Sequence, residues 1–216
     1  MHCIVTSGPT YEPLDQVRRL TNFSTGRLGT ELARHLAGCG HPVTLLRGAL
    51  STCTSPVPGV RVQTFETTAD LRAQLAGLAG SHPADLALFH AAAVSDFAFG
   101  QVYERQADGE LRPVQSGKHT TRGRPLLVEL RPTPKILAEL RAWYPAARII
   151  GWKYEVEGGP DQVLARVRQQ IQECRLNASV ANGPAYGPGF GVVTPPGEVR
   201  HCVDAPALFD VLGAFV

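Results

Sequence analysis

The chain has 216 residues, 44% of them hydrophobic and 19% charged, which is the balance of a soluble globular protein with room for a core. Lysine and arginine number 21 and aspartate and glutamate number 19, so the formal net charge is only +2. A chain with so little excess charge has no field of one sign, and we therefore expect neither nucleic acid nor a membrane surface as its partner.

The cysteines and the start of the sequence bear on where the protein works. The number of cysteines is odd and no CxxC pair occurs, which disfavours a disulfide framework or a zinc knuckle and predicts free thiols in a reducing cytosol. The start of the sequence lacks the basic and long apolar regions of a signal peptide, and no window offers about 18 apolar residues. We expect a cytoplasmic protein without a membrane span.

Short apolar runs alternate with helical patterns in the first half of the chain. The predicted strands of this half are residues 2–7, 41–48, 59–65 and 84–93, and the predicted helices are about 26–37 and 67–79. Leu28, Leu32 and Leu36 recur every four residues and form one apolar stripe on the first helix. Residues 84–93 are apolar almost throughout, as expected of a central parallel strand that is buried on both faces.

Residues 94–125 are polar and turn-rich, and they show no clear period. The segment is long for a structureless connection, which predicts a functional loop, a lid or an extension that pairs with a partner. Regular structure returns after it, with Pro134 in the first turn of a helix. The predicted strands here are 126–131, 147–153, 176–182 and about 198–203, and the predicted helices are 133–144, 159–175 and a last one from about 204.

This alternation predicts an α/β fold with a Rossmann-like, doubly wound, mostly parallel open sheet and helices on both faces. No internal repeat and no Gly/Ser linker divides the chain, so residues 1–216 are expected to form a single domain. In such sheets ligands bind beyond the carboxyl ends of the strands, where the strand order reverses. The residues that follow the strands are therefore the candidates for function.

Small residues stand between the first strand and the first helix. The GxGxxG dinucleotide fingerprint is absent in its usual form, because only Gly26 and Gly29 have the right separation. Ser24 and Thr25 precede a helix N-terminus, whose free N–H groups and positive dipole end suit a phosphate. Arg27 adds a positive charge. The alternative is that Ser24 or Thr25 only caps the helix.

Two further groups follow strand ends. Asn22 is neutral, and its amide can donate to a developing oxyanion, or it can hold its own turn. Ala91, Ala92 and Ala93 leave room against the backbone for a flat base or a ribose. Asp96 can accept from ribose hydroxyls or a base amine, or it can cap a turn.

Lys118 and Trp152 complete the candidates from residue chemistry. Lys118 lies near glycines and could close over phosphates, although a solvated loop lysine is the commoner case. Trp152 could stack on a base or pack at a strand end. The seven histidines lack paired metal spacing, and neither a GxSxG elbow nor a GxxxxGK[ST] loop occurs. These residues favour a nucleotide or phosphate ligand and catalysis by positioning.

The stretch TSGPTYEPLDQVRRLTNFSTGRLG (6–29) resembles, nearly position for position, the opening signature of phosphopantothenoylcysteine synthetases. In bacteria this family usually forms the C-terminal half of a bifunctional coenzyme A biosynthesis flavoprotein. Further motifs of the family are similar to AAAVSDF (91–97), SGK (116–118), LRPTPKILAEL (130–140), IIGWKYE (149–155) and LNASVANG (176–183). The similarity extends from residue 4 to about residue 192.

The resemblance implies a ligase that joins 4′-phosphopantothenate to cysteine through an amide. The carboxylate attacks the α-phosphate of CTP, or of ATP in eukaryotic relatives, and pyrophosphate leaves. The cysteine amine then displaces the nucleoside monophosphate from the acyl-nucleotide intermediate. Mg²⁺ and Lys118 would balance the charge of the triphosphate. Members of the family are dimers, so the resemblance implies a homodimer with residues 98–125 as flap and dimer contact.

The resemblance also implies roles for single residues. The catalytic residues would be Asn22 and Lys118. The nucleotide would be contacted by Gly8, Ser24, Thr25, Gly26, His90, Ala91, Ala92, Asp96, Lys118 and Trp152. The other substrates would be contacted by Arg18, Asn22, Arg27 and Ala93. No residue is expected to be a protein ligand of a metal.

Some positions depart from the family pattern. Gly183 stands where the family has an aspartate, and Gln170 and Cys174 stand near where bacterial members have nucleotide-contacting lysines. Trp152 replaces a phenylalanine, and NFSTGR is closer to the eukaryotic version. Two alternatives stay open. One is a non-catalytic or repurposed nucleotide-binding relative, and the other is an NAD(P)-dependent reductase, which the missing GxGxxG spacing disfavours.

Overall fold

The computed structural model describes residues 1–80, 85–119, 123–195 and 197–216. The helices are α1 (Arg27–Gly38), α2 (Thr68–Leu78), α3 (Ile136–Trp143), α4 (Pro160–Cys174) and α5 (Ala205–Gly213). The strands are β1 (His2–Ser7), β2 (Tyr11–Pro13), β3 (Arg19–Thr21), β4 (Val43–Gly48), β5 (Val60–Phe65), β6 (Leu86–His90), β7 (Phe97–Arg105), β8 (Leu111–Val114), β9 (Leu126–Pro132), β10 (Arg148–Tyr154), β11 (Ala178–Asn182), β12 (Phe190–Val193) and β13 (Val199–Cys202).

The large sheet has the strand order β13-β12-β11-β10-β6-β1-β4-β5. The six strands from β11 to β5 pair in parallel, and β12 and β13 add an antiparallel edge. The chain moves from β1 to β4 on one side and later to β6 on the other, with Val5 opposite both Leu45 and Phe89. The order therefore reverses at β1 and β6, and their carboxyl ends form the crevice in which doubly wound sheets bind ligands.

Helices cover both faces of this sheet, which confirms the predicted Rossmann-like fold class. Leu71, Leu140 and Val167 from α2, α3 and α4 pack in one core cluster. Leu32 from α1 and Leu208 from α5 pack in the other. The apolar stripe predicted on α1 faces the sheet, as do the apolar side chains of the other helices, because burying them removes apolar area from water. None of the helices in the described part of the chain is long and apolar enough to cross a membrane.

The prediction that residues 94–125 lack regular structure is wrong. They contain β7 and β8, which join β9 in a separate antiparallel sheet ordered β8-β7-β9. Most of their residues are half-buried or exposed, so no clean alternation marks them. The register also shifts between Phe99 and Val102. Residues 120–122 of the predicted flap, and residue 84 at the predicted start of β6, lie outside the described residues.

Other short elements were not predicted. β2 and β3 have three residues each and form a hairpin, which we call the finger (residues 11–23). Strands this short carry no readable period. β12 lies inside the Gly/Pro-rich loop that was predicted after β11. Helix α3 begins at Ile136 instead of 133, because the Thr133 N–H donates to the Asp96 carbonyl and prolongs the small sheet. Pro134 therefore precedes the helix.

Candidate functional site

The turn after β1 leaves no space for a side chain at its first position. Gly8 has a φ of +83°, in the left-handed region, and a Cβ atom there would overlap Ser51 Oγ. The neighbouring Gly48 is equally crowded, because a Cβ atom there would overlap the Pro9 carbonyl. The backbone after β1 and the backbone after β4 therefore lie against one another at the carboxyl edge of the sheet.

The N-terminus of α1 lies at the same edge. Its N-cap is Gly26, with a φ of 73° and no side-chain cap among the described residues. The alternative that Ser24 or Thr25 caps the helix is therefore wrong. Ser24 Oγ accepts from Gly26 N at 3.4 Å, and Thr25 Oγ1 accepts from Arg27 N at 3.3 Å. Free N–H groups of a first helical turn are suited to an anion.

Two side-chain hydrogen bonds are made at this N-terminus. Ser7 is almost fully buried, and its Oγ donates to the Gly26 carbonyl at 2.6 Å. Arg27 Nε donates to Glu31 Oε1 at 2.7 Å, and the Glu31 carboxylate raises the pKa of the Arg27 guanidinium. Arg27 was predicted to add its charge to the anion site, whereas the structure pairs it along the helix surface.

The end of β6 is held by a buried histidine. His90 Nδ1 and Thr6 Oγ1 are 3.0 Å apart, and Thr6 Oγ1 also accepts from Ala92 N at 3.1 Å. Burial lowers the pKa of His90 to about 4, so its imidazole is neutral near pH 7. The side chain of His90, predicted to contact nucleotide, instead packs beneath the turn of Ala91 and Ala92 and supports it.

The buried imidazole predicts a dependence of stability on pH. Because the His90 pKa falls from 6.5 in the unfolded chain to about 4 in the fold, protonation favours the unfolded state. We expect the free energy of unfolding to decrease as pH falls from about 6.5 towards 4, by up to roughly 3 kcal/mol. His90→Asn should remove this part of the slope. Urea unfolding of both proteins between pH 7 and pH 4.5 measures it, and equal slopes would contradict the assignment.

Asn22 lies at the same crevice. Its Nδ2 donates to the Ala93 carbonyl at 2.9 Å, across 71 positions of sequence. Ala93 N in turn donates to the Gly8 carbonyl at 2.9 Å. The alternative that Asn22 holds its own turn is therefore wrong. The hydrogen bonds bring Gly8, Asn22 and Ala93 together at the carboxyl ends of β1 and β6.

Asp96 lies just beyond this group, at the start of the small sheet. Its carboxylate is exposed and pairs with Lys135 Nζ at 3.2 Å. Its carbonyl accepts from Thr133 N at 3.0 Å. The Asp96 carboxylate accepts no backbone N–H among the described residues, so the turn-capping alternative is not what the structure shows.

The segment 116–119 is bound to the finger. Gln16 N donates to the Gly117 carbonyl at 3.0 Å, and His119 N donates to Asp15 Oδ2 at 3.1 Å. Lys118 lies between these two contacts and is exposed. Its ammonium has no ion-pair partner in the described ranges, so it is available to an anion.

Arg18 and Asp15 form the centre of that contact. Arg18 Nε and Nη2 donate to Asp15 Oδ2 at 3.1 and 2.6 Å, and Nη2 also donates to the His119 carbonyl at 2.7 Å. The Asp15 side chain has 0% exposure, and the guanidinium together with backbone N–H groups holds the pKa of its carboxyl well below its usual range. Arg18, predicted to contact substrate, is thus hydrogen-bonded to Asp15 and to the His119 carbonyl. Asp15 was missed, although the D-x-x-R spacing marks it.

Two polar atoms lack partners at the carboxyl ends of β10 and β11. Trp152 Nε1 and Asn182 Oδ1 are buried without a hydrogen-bond partner among the described residues. The two strands are neighbours, with Tyr154 opposite Asn182, and β10 also pairs with β6. Buried polar atoms without partners are uncommon, and a bound ligand is one of the explanations for them. Asn182 was not among the predicted site residues.

The departures from the family pattern have local reasons. Gly183 has a φ of +107°, and a Cβ atom there would overlap the Glu155 carbonyl, so this backbone excludes aspartate. Gln170 faces the sheet, where its Oε1 accepts from Ser179 Oγ at 2.8 Å. Cys174 is buried in the core, which raises the pKa of its thiol. The side chains at positions 170 and 174 therefore face the protein interior.

The comparisons with known proteins agree with this geometry. The family model of the DNA/pantothenate metabolism flavoprotein C-terminal domain matches residues 1–197. The Coenzyme A biosynthesis bifunctional protein CoaBC of Thermococcus kodakarensis is 30% identical over 180 residues, which are 83% of this chain and 40% of that protein. The chain thus spans about two fifths of the length of this curated relative.

Solved structures share the fold. The DNA/pantothenate metabolism flavoprotein from Streptococcus pneumoniae superposes with a TM-score of 0.82 at 22% identity, covering 98% of this chain and 96% of that one. A Cab2 variant in complex with phosphopantothenate-cysteine gives a TM-score of 0.71 at 20% identity, covering 98% and 87%. The fold and the match over residues 1–197 lead to one conclusion. The chain belongs to the family of the DNA/pantothenate metabolism flavoprotein C-terminal domain, as the resemblance to phosphopantothenoylcysteine synthetases predicted.

Proposed function

We propose that this chain is a phosphopantothenate–cysteine ligase that acts through an acyl-nucleotide intermediate made with CTP or ATP. The observation that carries the proposal is the hydrogen bond from Asn22 Nδ2 to the Ala93 carbonyl, at 2.9 Å. It joins the two segments that most resemble the synthetase signature, one on each side of the strand-order reversal. Membership of the family and the relatives named CoaBC support the same reaction.

The geometry supports separate positions along the crevice for the phosphates, the nucleoside and the acyl phosphate. The uncapped N-terminus of α1 at Gly26 offers N–H groups to the phosphates that leave as pyrophosphate. The nucleoside lies towards the ends of β10 and β11, where Trp152 Nε1 and Asn182 Oδ1 lack hydrogen-bond partners within the described ranges. Asn22 lies between these two regions, where its neutral amide can meet the acyl phosphate. Catalysis then rests on positioning and charge, because no nucleophilic intermediate on the protein is needed.

Magnesium enters this proposal only as the counter-ion of the nucleotide. The described residues contain no group of three or more His, Cys, Asp or Glu side chains that could hold a metal ion. We assign no step of the proposed reaction to a metal held by the protein. Mg²⁺ commonly binds through substrate phosphates and water with few protein ligands.

Lys118→Gln should raise the KM for the nucleotide about tenfold, because one charged hydrogen bond to phosphate is lost. The folded state should be unaffected, since the Lys118 side chain is exposed and has no ion-pair partner in the described ranges. Arg112→Gln is the matched control, because it removes an exposed positive charge from β8. Steady-state kinetics at varied nucleotide concentration measure the effect. Equal KM values for both variants would show that Lys118 is only a solvated loop residue.

We also propose that the chain acts as one unit and forms a homodimer through the small sheet. Phe97, Leu111 and Leu130 are each at least 43% exposed there, which is unusual for large apolar side chains that stay in water. Light scattering that gave the 23.2 kDa mass of one chain would contradict the dimer.

The cysteines support a reducing cytoplasm as the place of action, because none of the five is paired.

The proposed reaction is tested by incubating the chain with phosphopantothenate, cysteine and either CTP or ATP. We expect pyrophosphate release that requires phosphopantothenate, and a product with the mass of phosphopantothenoylcysteine once cysteine is added. The two nucleotides in separate reactions decide which one is used. Trp152 fluorescence, read in a Trp143→Phe background, reports binding independently. Nucleotide binding without product would favour the non-catalytic relative, and quenching by NADPH alone would favour the reductase.

A further inference from the structure

Ser51 carries a buried hydroxyl that makes no hydrogen bond to the described residues of the fold. The residue follows β4, is 6% exposed, and its Oγ has no hydrogen-bond partner in the part of the chain that the structure describes. A Cβ atom on Gly8 would overlap this oxygen, and one on Gly26 would lie 2.6 Å from it. The hydroxyl is therefore aimed between the turn after β1 and the N-terminus of α1.

The position of Ser51 is fixed by its backbone and not by its side chain. Ser51 N donates to the Gly48 carbonyl at 2.9 Å, and Cys53 N donates to the Thr25 carbonyl at 3.0 Å. Ser7 gives the contrast, because its hydroxyl is used within the fold and donates to the Gly26 carbonyl at 2.6 Å. A buried hydroxyl without a partner is costly, so its retention at this point requires another reason.

We propose that Ser51 is a further phosphate-binding residue, whose Oγ–H donates to an oxygen of the nucleotide phosphates held at the N-terminus of α1. This proposal rests on the nucleotide site of the proposed function and adds one residue to that site. Ser51 Oγ lies against Gly8 and Gly26, and neither glycine carries a side chain that would bar an anion. A hydroxyl beside free helical N–H groups adds a neutral donor, so it strengthens phosphate binding without adding charge.

The test is Ser51→Ala, with binding measured by calorimetry for inorganic pyrophosphate, for CTP and ATP, and for the nucleosides cytidine and adenosine. We expect the affinity for pyrophosphate and for the nucleotide to fall about tenfold, the loss that accompanies one hydrogen bond to a charged group. Binding of the nucleoside should not change. The melting temperature without ligand should stay equal or rise, because an unsatisfied hydroxyl has been removed.

Thr44→Val is the matched control. It removes a buried hydroxyl from the amino end of the same strand, where Thr44 Oγ1 bonds to His2 Nε2 at 3.2 Å, and it should leave pyrophosphate binding unchanged. Pyrophosphate binding by Ser51→Ala at wild-type affinity would overturn the proposal, as would an equal loss in Thr44→Val. Product formation is measured separately, so a wild-type chain that binds pyrophosphate without making product would refute the ligase and leave Ser51 supported.

Discussion

Asn22→Asp is expected to lower the rate of phosphopantothenoylcysteine formation by about 100-fold or more, the usual cost of removing one oxyanion donor. The variant replaces an amide that donates to the Ala93 carbonyl at 2.9 Å with a carboxylate that can only accept. It also puts a negative charge beside an anionic intermediate. The two side chains have nearly the same shape and Asn22 is exposed, so the fold should persist.

The effect of Asn22→Asp is measured as kcat at saturating substrates, with the melting temperature as a check on folding. Gln172→Glu is the control, since it makes the same amide-to-carboxylate change on the exposed surface of α4. It should keep full activity. Wild-type turnover by Asn22→Asp would show that the assigned role of Asn22 is wrong.

Gly183→Asp is expected to destabilise the protein by about 2 kcal/mol or more, because a residue with a side chain is forced into a disfavoured backbone conformation. The φ of Gly183 is +107°, and the added Cβ would also lie 2.9 Å from Glu155 N and overlap its carbonyl. For a chain of this length such a loss lowers the melting temperature by roughly 4–8 °C. Restoring the aspartate of the family motif should therefore impair the protein and not improve it.

Gly187→Asp separates the two causes. Gly187 has a φ of +100° but nothing within 4 Å of a Cβ atom, so this variant carries the backbone strain without the overlap. Thermal unfolding should rank the wild type above Gly187→Asp and Gly187→Asp above Gly183→Asp. A Gly183→Asp variant as stable as the wild type would mean that the neighbouring backbone at Glu155 yields readily.

The sequence alone predicted the strand–helix alternation, the faces of the helices and the family. These features are local, because a stripe such as Leu32 and Leu36 on α1 repeats within a few residues and reports which side is buried. The first motif, which contains Asn22 and Gly26, is equally continuous in sequence. Its position at the carboxyl edge followed from the general behaviour of doubly wound sheets.

The tertiary structure decided which of these residues meet and what each side chain is free to do. Asn22 reaches Ala93 across 71 positions, and His119 reaches Asp15 across 104, and no local period records such pairings. It also paired His90 with Thr6 and Arg27 with Glu31, and it left Ser51 Oγ without a hydrogen-bond partner among the described residues. The hydrogen bonding of a side chain depends on which distant segments pack around it, and only the folded chain brings those segments together.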